Sequence, residues 1–304
     1  MWRPRFNRGQ PYQVRILTVP PTNTASFARA EPREIVELKR LREAQPHLAS
    51  AIDFHLDLLE HQRRIRARVP LPRNYRLLPT LAERLEAGEP LLRFEDIPID
   101  WSDARRLLRE TADLLVRYNM LDKGECARVH TLTRDGDKLE PFIRWWYLSA
   151  AAPATAGDMP LERGEALDSV LLLGLRPFLA RAAEALLSQI DTSRWARGRC
   201  PLCGGSPDFA TWDAAGLHQL VCARCHGQWV FAEDQCPFCE TTDASKRKSF
   251  VSQSLPYRVD ACNACTRYVK GFDARRSTRP PLLTLDAIAT LPLDAAALQR
   301  GYTG

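Results

Sequence analysis

No stretch of this sequence is apolar for long enough to cross a bilayer. The longest strongly apolar run, Val170-Leu-Leu-Leu-Gly-Leu175, falls far short of the roughly 18–20 residues a spanning helix needs. No secretory leader is legible either. The basic opening Met1-Trp-Arg-Pro-Arg-Phe-Asn-Arg8 is followed by neither an apolar core nor a small-residue cleavage site, so an unexported chain is expected. Ordinary catalytic signatures are missing: there is no His-Glu-x-x-His, Gly-x-Gly-x-x-Gly, Walker loop or Gly-x-Ser-x-Gly. A zinc deaminase would need His-x-Glu ahead of Pro-Cys-x-x-Cys, and no His-x-Glu occurs. A strong charge imbalance is also absent. The net charge of +6 is spread thinly over 304 residues and demands no polyanionic partner.

What the chain does have is sulfur in one place. Eight of its 9 cysteines fall in four Cys-x-x-Cys pairs, Cys200/Cys203, Cys222/Cys225, Cys236/Cys239 and Cys262/Cys265. A Cys-x-x-Cys turn aims two thiolates at one point, and a tetrahedral ion needs two such turns facing each other. Four pairs therefore make two sites with no cysteine left over. In an unexported chain such pairs indicate metal ligation rather than disulfides. Pairing in sequence order is expected; a crossed arrangement, first with third and second with fourth, stays open. Four thiolates suit zinc or a single rubredoxin-type iron equally well.

The segments between the pairs read as β-hairpins. Pro207-Asp-Phe-Ala-Thr-Trp212 and Leu217-His-Gln-Leu-Val-Cys222 flank a polar turn at Asp213-Ala-Ala-Gly216. Lys248-Ser-Phe-Val-Ser-Gln253 and Tyr257-Arg-Val-Asp260 flank one at Ser254-Leu-Pro256. A hairpin with a cysteine knuckle at each open end is the zinc-ribbon or rubredoxin plan. Trp229 and Tyr268 each follow a second knuckle, so the halves read as a tandem repeat. Neither half buries enough apolar surface to fold alone, and the metal is expected to supply most of the folding free energy.

Upstream, the pattern is helical. The first residues are proline-rich and aperiodic, and helical pattern begins near Pro32. After Pro46, Leu48, Ile52, Leu56 and Leu59 form one stripe opposite Asp53, Asp57 and Glu60, ending in the basic run Arg63–Arg68. A short helix is predicted over Leu81–Ala87, and another N-capped by Ser102 with Leu107, Leu108, Thr111, Leu114, Leu115 and Tyr118 on one face. Further helices are predicted over Lys138–Ala150 and Leu161–Ile190. The last starts at Pro160, is kinked or split at Gly174 and Pro177, and is apolar all round, so it should be central. The C-terminal stretch keeps Leu285, Ile288, Leu291, Leu293 and Leu298 and is expected to pack back. The fold class is thus α+β: an extended arm (1–31), an all-α domain (32–192), two metal ribbons (193–232 and 233–272) and a C-terminal tail (273–304). Cys126, in a presumed helical stretch, reads as an inert buried thiol. His218 and His226 read as neighbours of the ligands or surface groups, and Ser245-Lys-Arg-Lys-Ser249 as a solvated hairpin tip.

These motifs, in this order, resemble the formate dehydrogenase accessory (formation) protein family, FdhE. The resemblance rests on Cys200-Pro-Leu-Cys-Gly-Gly-Ser206, Leu220-Val-Cys-Ala-Arg-Cys225 with Trp229, Cys236-Pro-Phe-Cys-Glu240, and Ala261-Cys-Asn-Ala-Cys265 with Tyr268-Val-Lys270. Arg40-Leu-Arg-Glu-Ala-Gln-Pro46, Ala289-Thr-Leu-Pro-Leu-Asp294 and Gly301-Tyr302 extend it over most of the chain. Two departures stand out: Leu285-Asp286 where two acids are expected, and Glu240 where a knuckle glycine is usual. The resemblance implies a cytoplasmic assembly factor without turnover of its own. It would act on respiratory formate dehydrogenase, binding the molybdenum- and selenium-containing catalytic subunit before export, and it allows iron in the sites. Competing expectations are a nucleic-acid-binding zinc ribbon, motivated by Lys246-Arg-Lys248 and Trp229, and a rubredoxin-like electron carrier.

Overall fold

Two buried stripes on one helix organise the N-terminal part. The computed structural model describes residues 31–70, 80–150, 164–187, 190–252 and 255–304. The arm expected over 1–31 lies outside these but for its last residue, as do Pro160, Leu161 and Ser254. Helix α1 (Arg33–Ala44) leads into α2 (Ala49–Arg66). The predicted face is real: Leu48 and Ile52 are buried against Leu38 of α1, with Leu56 and Leu59 half-buried beside them. The opposite flank is apolar too, and Phe54, Leu58 and Ile65 enter the main core. Helix α2 is therefore a partition between two clusters, which a single-stripe reading misses.

Helices α3 (Thr80–Ala87), α4 (Trp101–Arg117), α5 (Lys123–Arg134) and α6 (Gly136–Ser149) follow. The cap of α4 differs from expectation. Asp100, not Ser102, holds the N-cap: its Oδ1 accepts from the Asp103 N–H at 2.9 Å, while Ser102 lies inside the helix and donates to the same oxygen at 2.6 Å. The carboxylate is the better acceptor for an exposed helix N–H and sits at the positive end of the dipole.

Helix α7 (Glu165–Leu187) is the central element, with residues from Val170 to Leu186 buried around its circumference. The break expected at Gly174 and Pro177 does not occur, and the helix runs through both. Pro177 cannot donate to the carbonyl four residues earlier, that of Leu173. The buried Gln62 side chain of α2 supplies the missing donor, at 2.8 Å from the Leu173 oxygen. Gly174 lies where a β-carbon would come within 2.7 Å of Leu108, so its absence lets α4 and α7 meet closely.

Past α7 the chain forms one six-stranded sheet, from β1 (Pro207–Trp212), β2 (His218–Cys222), β3 (Gln228–Val230), β4 (Arg247–Val251), β5 (Tyr257–Cys262) and β6 (Tyr268–Asp273). The order is β3-β2-β1-β6-β5-β4. Both expected hairpins are present, and they are fused: β1 and β6 pair in parallel, Phe209 opposite Lys270 through Trp212 opposite Asp273. The two modules thus join head to tail into one continuous sheet.

The strands alternate with period two. Ala210, Trp212, Leu220, Trp229 and Val269 face the helices and belong to the same core as Phe178 and Leu108. Phe209, Val221, Tyr257 and Phe272 face the other way, towards Leu283, Ala289 and Leu293 of the tail. The tail forms α8 (Leu283–Ala289) and α9 (Leu291–Gln299) and packs back as expected. Leu285 and Ile288 are buried, whereas Leu291 and Leu298 are exposed. Helices, sheet and tail make three layers, and no described helix is long and apolar enough to cross a membrane.

One ion pair anchors the tail. Asp286, fully buried, accepts from the Tyr257 hydroxyl at 2.9 Å, from the Leu282 N–H at 2.7 Å and from both arms of the Arg279 guanidinium. Its neighbour Leu285 fills the hydrophobic cluster instead, so the second tail acid that the family pattern suggests would have no place there. Replacing Asp286 by Asn removes the counter-charge of the half-buried Arg279 guanidinium, and a loss of about 1–3 kcal/mol is expected in denaturant unfolding; an unchanged midpoint would rule out this anchor.

Candidate metal centres

Each cysteine pair sits on the same backbone turn. In all four, the first cysteine's N–H donates to the carbonyl two residues past the second cysteine: Cys200 to Gly205, Cys222 to Gly227, Cys236 to Thr241 and Cys262 to Arg267, at 2.9–3.0 Å. The residue after the second cysteine takes a left-handed conformation each time, Gly204 at φ 71°, His226 at 56°, Glu240 at 58° and Thr266 at 57°. Amide groups inside the turns point at sulfur: the Leu202, Arg224 and Gly227 N–H groups lie 3.4 Å from Cys200, Cys222 and Cys225 Sγ. Such donors stabilise thiolates.

The sulfurs gather in two groups of four, and the pairing is sequential. Cys200, Cys203, Cys222 and Cys225 form one group; Cys236, Cys239, Cys262 and Cys265 form the other. The crossed arrangement is thereby excluded. Three sulfur pairs in the first group are 3.4–3.6 Å apart and two in the second 3.7–3.8 Å, and all four sulfurs of each group lie within 4.8 Å of one another. A tetrahedral zinc at about 2.3 Å from each sulfur puts its ligands about 3.8 Å apart. The donor sets therefore fit one thiophilic cation each, and each group could hold an ion. Zinc and iron are not distinguished by this geometry.

The two centres differ in their surroundings. In the first, every cysteine is buried, at 0–2% exposure. It is also welded to the helices: the Leu91 and Leu92 N–H groups donate to Pro201 and Leu202 carbonyls at 2.9 and 2.8 Å. Arg224, inside the second knuckle, donates to the Trp146 and Tyr147 carbonyls at the end of α6 and stacks 3.9 Å over the Trp146 ring. Arg176 of α7 donates to the Ala223 carbonyl of the same knuckle at 2.9 Å. Burial pulls both guanidinium pKa values down, and the thiolates, together with nearby carboxylates, oppose that pull. Neither arginine has a carboxylate ion-pair partner among the described residues. The Cys200 and Cys225 thiols are pushed up, Cys200 foremost by burial and Cys225 foremost by its hydrogen-bonded sulfur neighbours. Cys203 is pushed well down by its interactions with the other three sulfurs.

In the second centre Cys239 is exposed and Cys265 half-buried. Its turns are held by loops and the chain's last residues: Asn263 accepts from the Tyr302 hydroxyl at 2.6 Å, and the Thr303 N–H donates to the Thr266 carbonyl at 2.7 Å. Arg267 stacks 3.7 Å over Phe238 beside it.

The two histidines fall outside both groups. His218 is packed on Trp212, ring centroids 4.7 Å apart, and pairs with the Phe231 carbonyl at 2.9 Å. His226 faces a cavity of about 360 Å³ behind the first centre, lined also by His55, Arg63, Arg176 and Glu184. Burial, aided by Arg176 and Lys270, lowers His55 to about 4. Cys126 is half-buried, not fully buried, and donates to Asp113 at 3.5 Å, with His130 on the same carboxylate at 2.8 Å. Burial raises its pKa, which suits an unreactive thiol. In the basic cluster at 245–249, Arg247 is committed to the Glu233 carbonyl. The aromatics of the repeat are offset: Trp229 pairs with Leu220 in the main core, whereas Tyr268 pairs with Ala261 on the tail face, so Val269 is the structural counterpart of Trp229. Sequence reasoning missed Arg176 and Arg224, since a lone arginine in a helix or knuckle carries no signal of its own.

An α-helical layer carrying two fused four-cysteine ribbons is the class of protein that these observations define. Its likeness extends to proteins of known type. The crystal structure of the FdhE protein from Pseudomonas aeruginosa superposes with a TM-score of 0.60 over 89% of this chain and 92% of that one, at 20% identity, which establishes a shared fold. A protein called FdhE homolog from Stutzerimonas stutzeri (strain A1501) is 29% identical over 140 residues, 42% of this chain. That match spans 46% of the relative's length, just under half. No family model matches the chain. The resemblance to FdhE read from the cysteine motifs is borne out in both sequence and fold.

Two outcomes follow for the centres. Left-handed backbone costs a side-chain-bearing residue roughly 1 kcal/mol, so Glu240→Gly and Thr266→Gly should each stabilise the metal-loaded protein by about that amount. Thermal unfolding with no rise in midpoint would contradict it. Thiols must lose protons to ligate, so acidification should release bound ions, and retention measured by emission spectrometry after dialysis should fall as pH falls. Retention independent of pH would exclude thiolate ligation.

Proposed function

We propose that the chain is a member of the FdhE family and serves as a maturation factor for formate dehydrogenase, with the eight cysteines holding two metal ions. One observation carries this: both donor sets are complete at four sulfurs. A catalytic metal keeps an open position beside a proton-transfer group. Here both sets are closed, and Arg176, Arg224 and Arg267 beside them are cations fixed by carbonyls or rings. Such a centre sets the shape of a surface and turns nothing over. The ions, when bound, supply cross-links between knuckles, and the chain's own residues do the rest. Arg176 and Arg224 fix the first centre against α6 and α7, and β1 and β6 carry the second centre beside it.

The finer reading is that this scaffold engages the catalytic subunit of formate dehydrogenase in the cytoplasm before export. The fold shared with the Pseudomonas aeruginosa protein and the partial sequence match to the Stutzerimonas stutzeri protein support it. The test is affinity capture with the tagged full chain, together with formate oxidation in a deletion strain. Recovery of the catalytic subunit and loss of formate oxidation are expected. A deletion strain with normal formate oxidation, and capture that never returns that subunit, would falsify the assignment.

A further inference from the structure

The two sulfur cages look alike in their turns and differ in everything around them. A divalent ion held by four thiolates carries a formal charge of −2. Around the first cage that charge meets two buried guanidinium groups, Arg176 and Arg224, neither paired with a carboxylate among the described residues. Emptying the cage would take the leading counter-charge from Arg224 and weaken that on Arg176, which also faces the Asp208 carboxylate, a costly change for groups so deeply buried. The first cage is also the more enclosed: Cys225 borders the cavity behind it, but all four sulfurs are buried, and its turns are bonded to Leu91, Leu92 and the end of α6.

The second cage is held by loops and the tail and is more open on one side. Cys239 is exposed to solvent, and Cys265 is half-buried. Beside Cys239 lies an open cavity of about 530 Å³, lined by Pro237, Phe238, Glu240, Arg199 and Arg267. Arg267, the guanidinium near this cage, rests on the Phe238 ring and is only partly enclosed. Two of its turns carry left-handed Glu240 and Thr266, where the first cage has Gly204 at one such position. Exposed thiolates can be approached by a competing donor, and strained turns gain by opening.

We propose that the second centre is an exchange site for a thiophilic divalent cation, entered and left at Cys239, while the first keeps its ion as a permanent part of the fold. In the exchange step an incoming donor bonds to the ion as the bond to Cys239 sulfur breaks. The sulfur leaves as thiolate and takes a proton from solvent, with no change in oxidation state. The other three sulfurs hold the ion until the donor set of the competitor is complete. This inference rests on the reading that both sulfur groups bind ions.

The test uses the full chain loaded with two equivalents of zinc, mixed with a chromogenic chelator. One equivalent should leave at least about tenfold faster than the other, the size of effect that outer partners have on metal retention. Cys239→Ser should remove the fast phase, retain one equivalent and keep the far-ultraviolet circular dichroism of the parent. Arg224→Gln should speed the slow phase. Should that variant fail to fold, alkylation of the metal-loaded parent supplies a second readout, with mass spectrometry finding Cys239 modified ahead of every other ligand. Release of both equivalents at one rate, a fast phase that survives in Cys239→Ser, or first alkylation elsewhere overturns the proposal. A protein that takes up no metal at all overturns the metal reading itself, which equal release rates would leave standing.

Discussion

The rest of the structure depends on the contact between two arginines and the first sulfur cage. Arg224 is part of the knuckle, yet its guanidinium ends on the last carbonyls of α6; Arg176 belongs to α7, yet it ends on the knuckle. Each thus spans the boundary between helices and sheet. Burial opposes their charges, and nearby groups offset it: Asp208 foremost for Arg176 and the first cage's cysteines foremost for Arg224. A small β-ribbon alone buries too little apolar surface to be stable. Here the first ribbon shares one hydrophobic core with the helices, Trp212 and Trp229 standing among Leu108, Phe142 and Phe178. An ion bound in the first cage would therefore couple its binding to the docking of the ribbon.

The second ribbon inherits its position. It touches the helical layer less, and is placed by the parallel pairing of β6 with β1 and by the tail. Gly198, just ahead of the first cysteine, lies where a β-carbon would fall 1.9 Å from the Pro237 carbonyl, so the linker and the second centre's knuckle press directly together. The tail closes the other side: Lys270 reaches Asp294 and the Ala287 carbonyl, and Tyr268 reaches Asp294 at 2.7 Å. The C-terminal residues thus belong to the second centre as much as to the helices they also touch.

How much of this was legible in the sequence varied with the kind of signal. The cysteine spacing carried the two groups of four and the hairpins between them, because a knuckle is a local structure dictated by a few adjacent residues. Apolar periodicity carried α4 and the central placement of α7. It failed where a distant partner decides the outcome. Pro177 reads as a break, and only the Gln62 side chain from α2 explains why the helix continues. Leu56 and Leu59 read as the core face of α2, while Phe54, Leu58 and Ile65 make a second one that no single-stripe pattern shows. The fusion of the hairpins through β1 and β6 was invisible for the same reason: parallel pairing between remote strands leaves no mark on either. Asp286 was conspicuous in sequence as an acid without its expected companion, and its role appeared only once Arg279 and Tyr257 were beside it.

The head-to-tail joint has a geometric corollary. Modules related by a two-fold axis would meet through like strands and close; these are related by a shift, so the first strand of one receives the third strand of the other. A shift has no natural end. The outer border of β4, with Phe250 and Val251 uncovered, is equivalent to the border of β1 that accepts β6. Arg247 and Lys248 place positive charge along that border, the usual way in which sheets discourage unwanted growth. The shift thus leaves one border of the sheet, along β4, without a strand partner among the described residues, with Arg247 and Lys248 beside it.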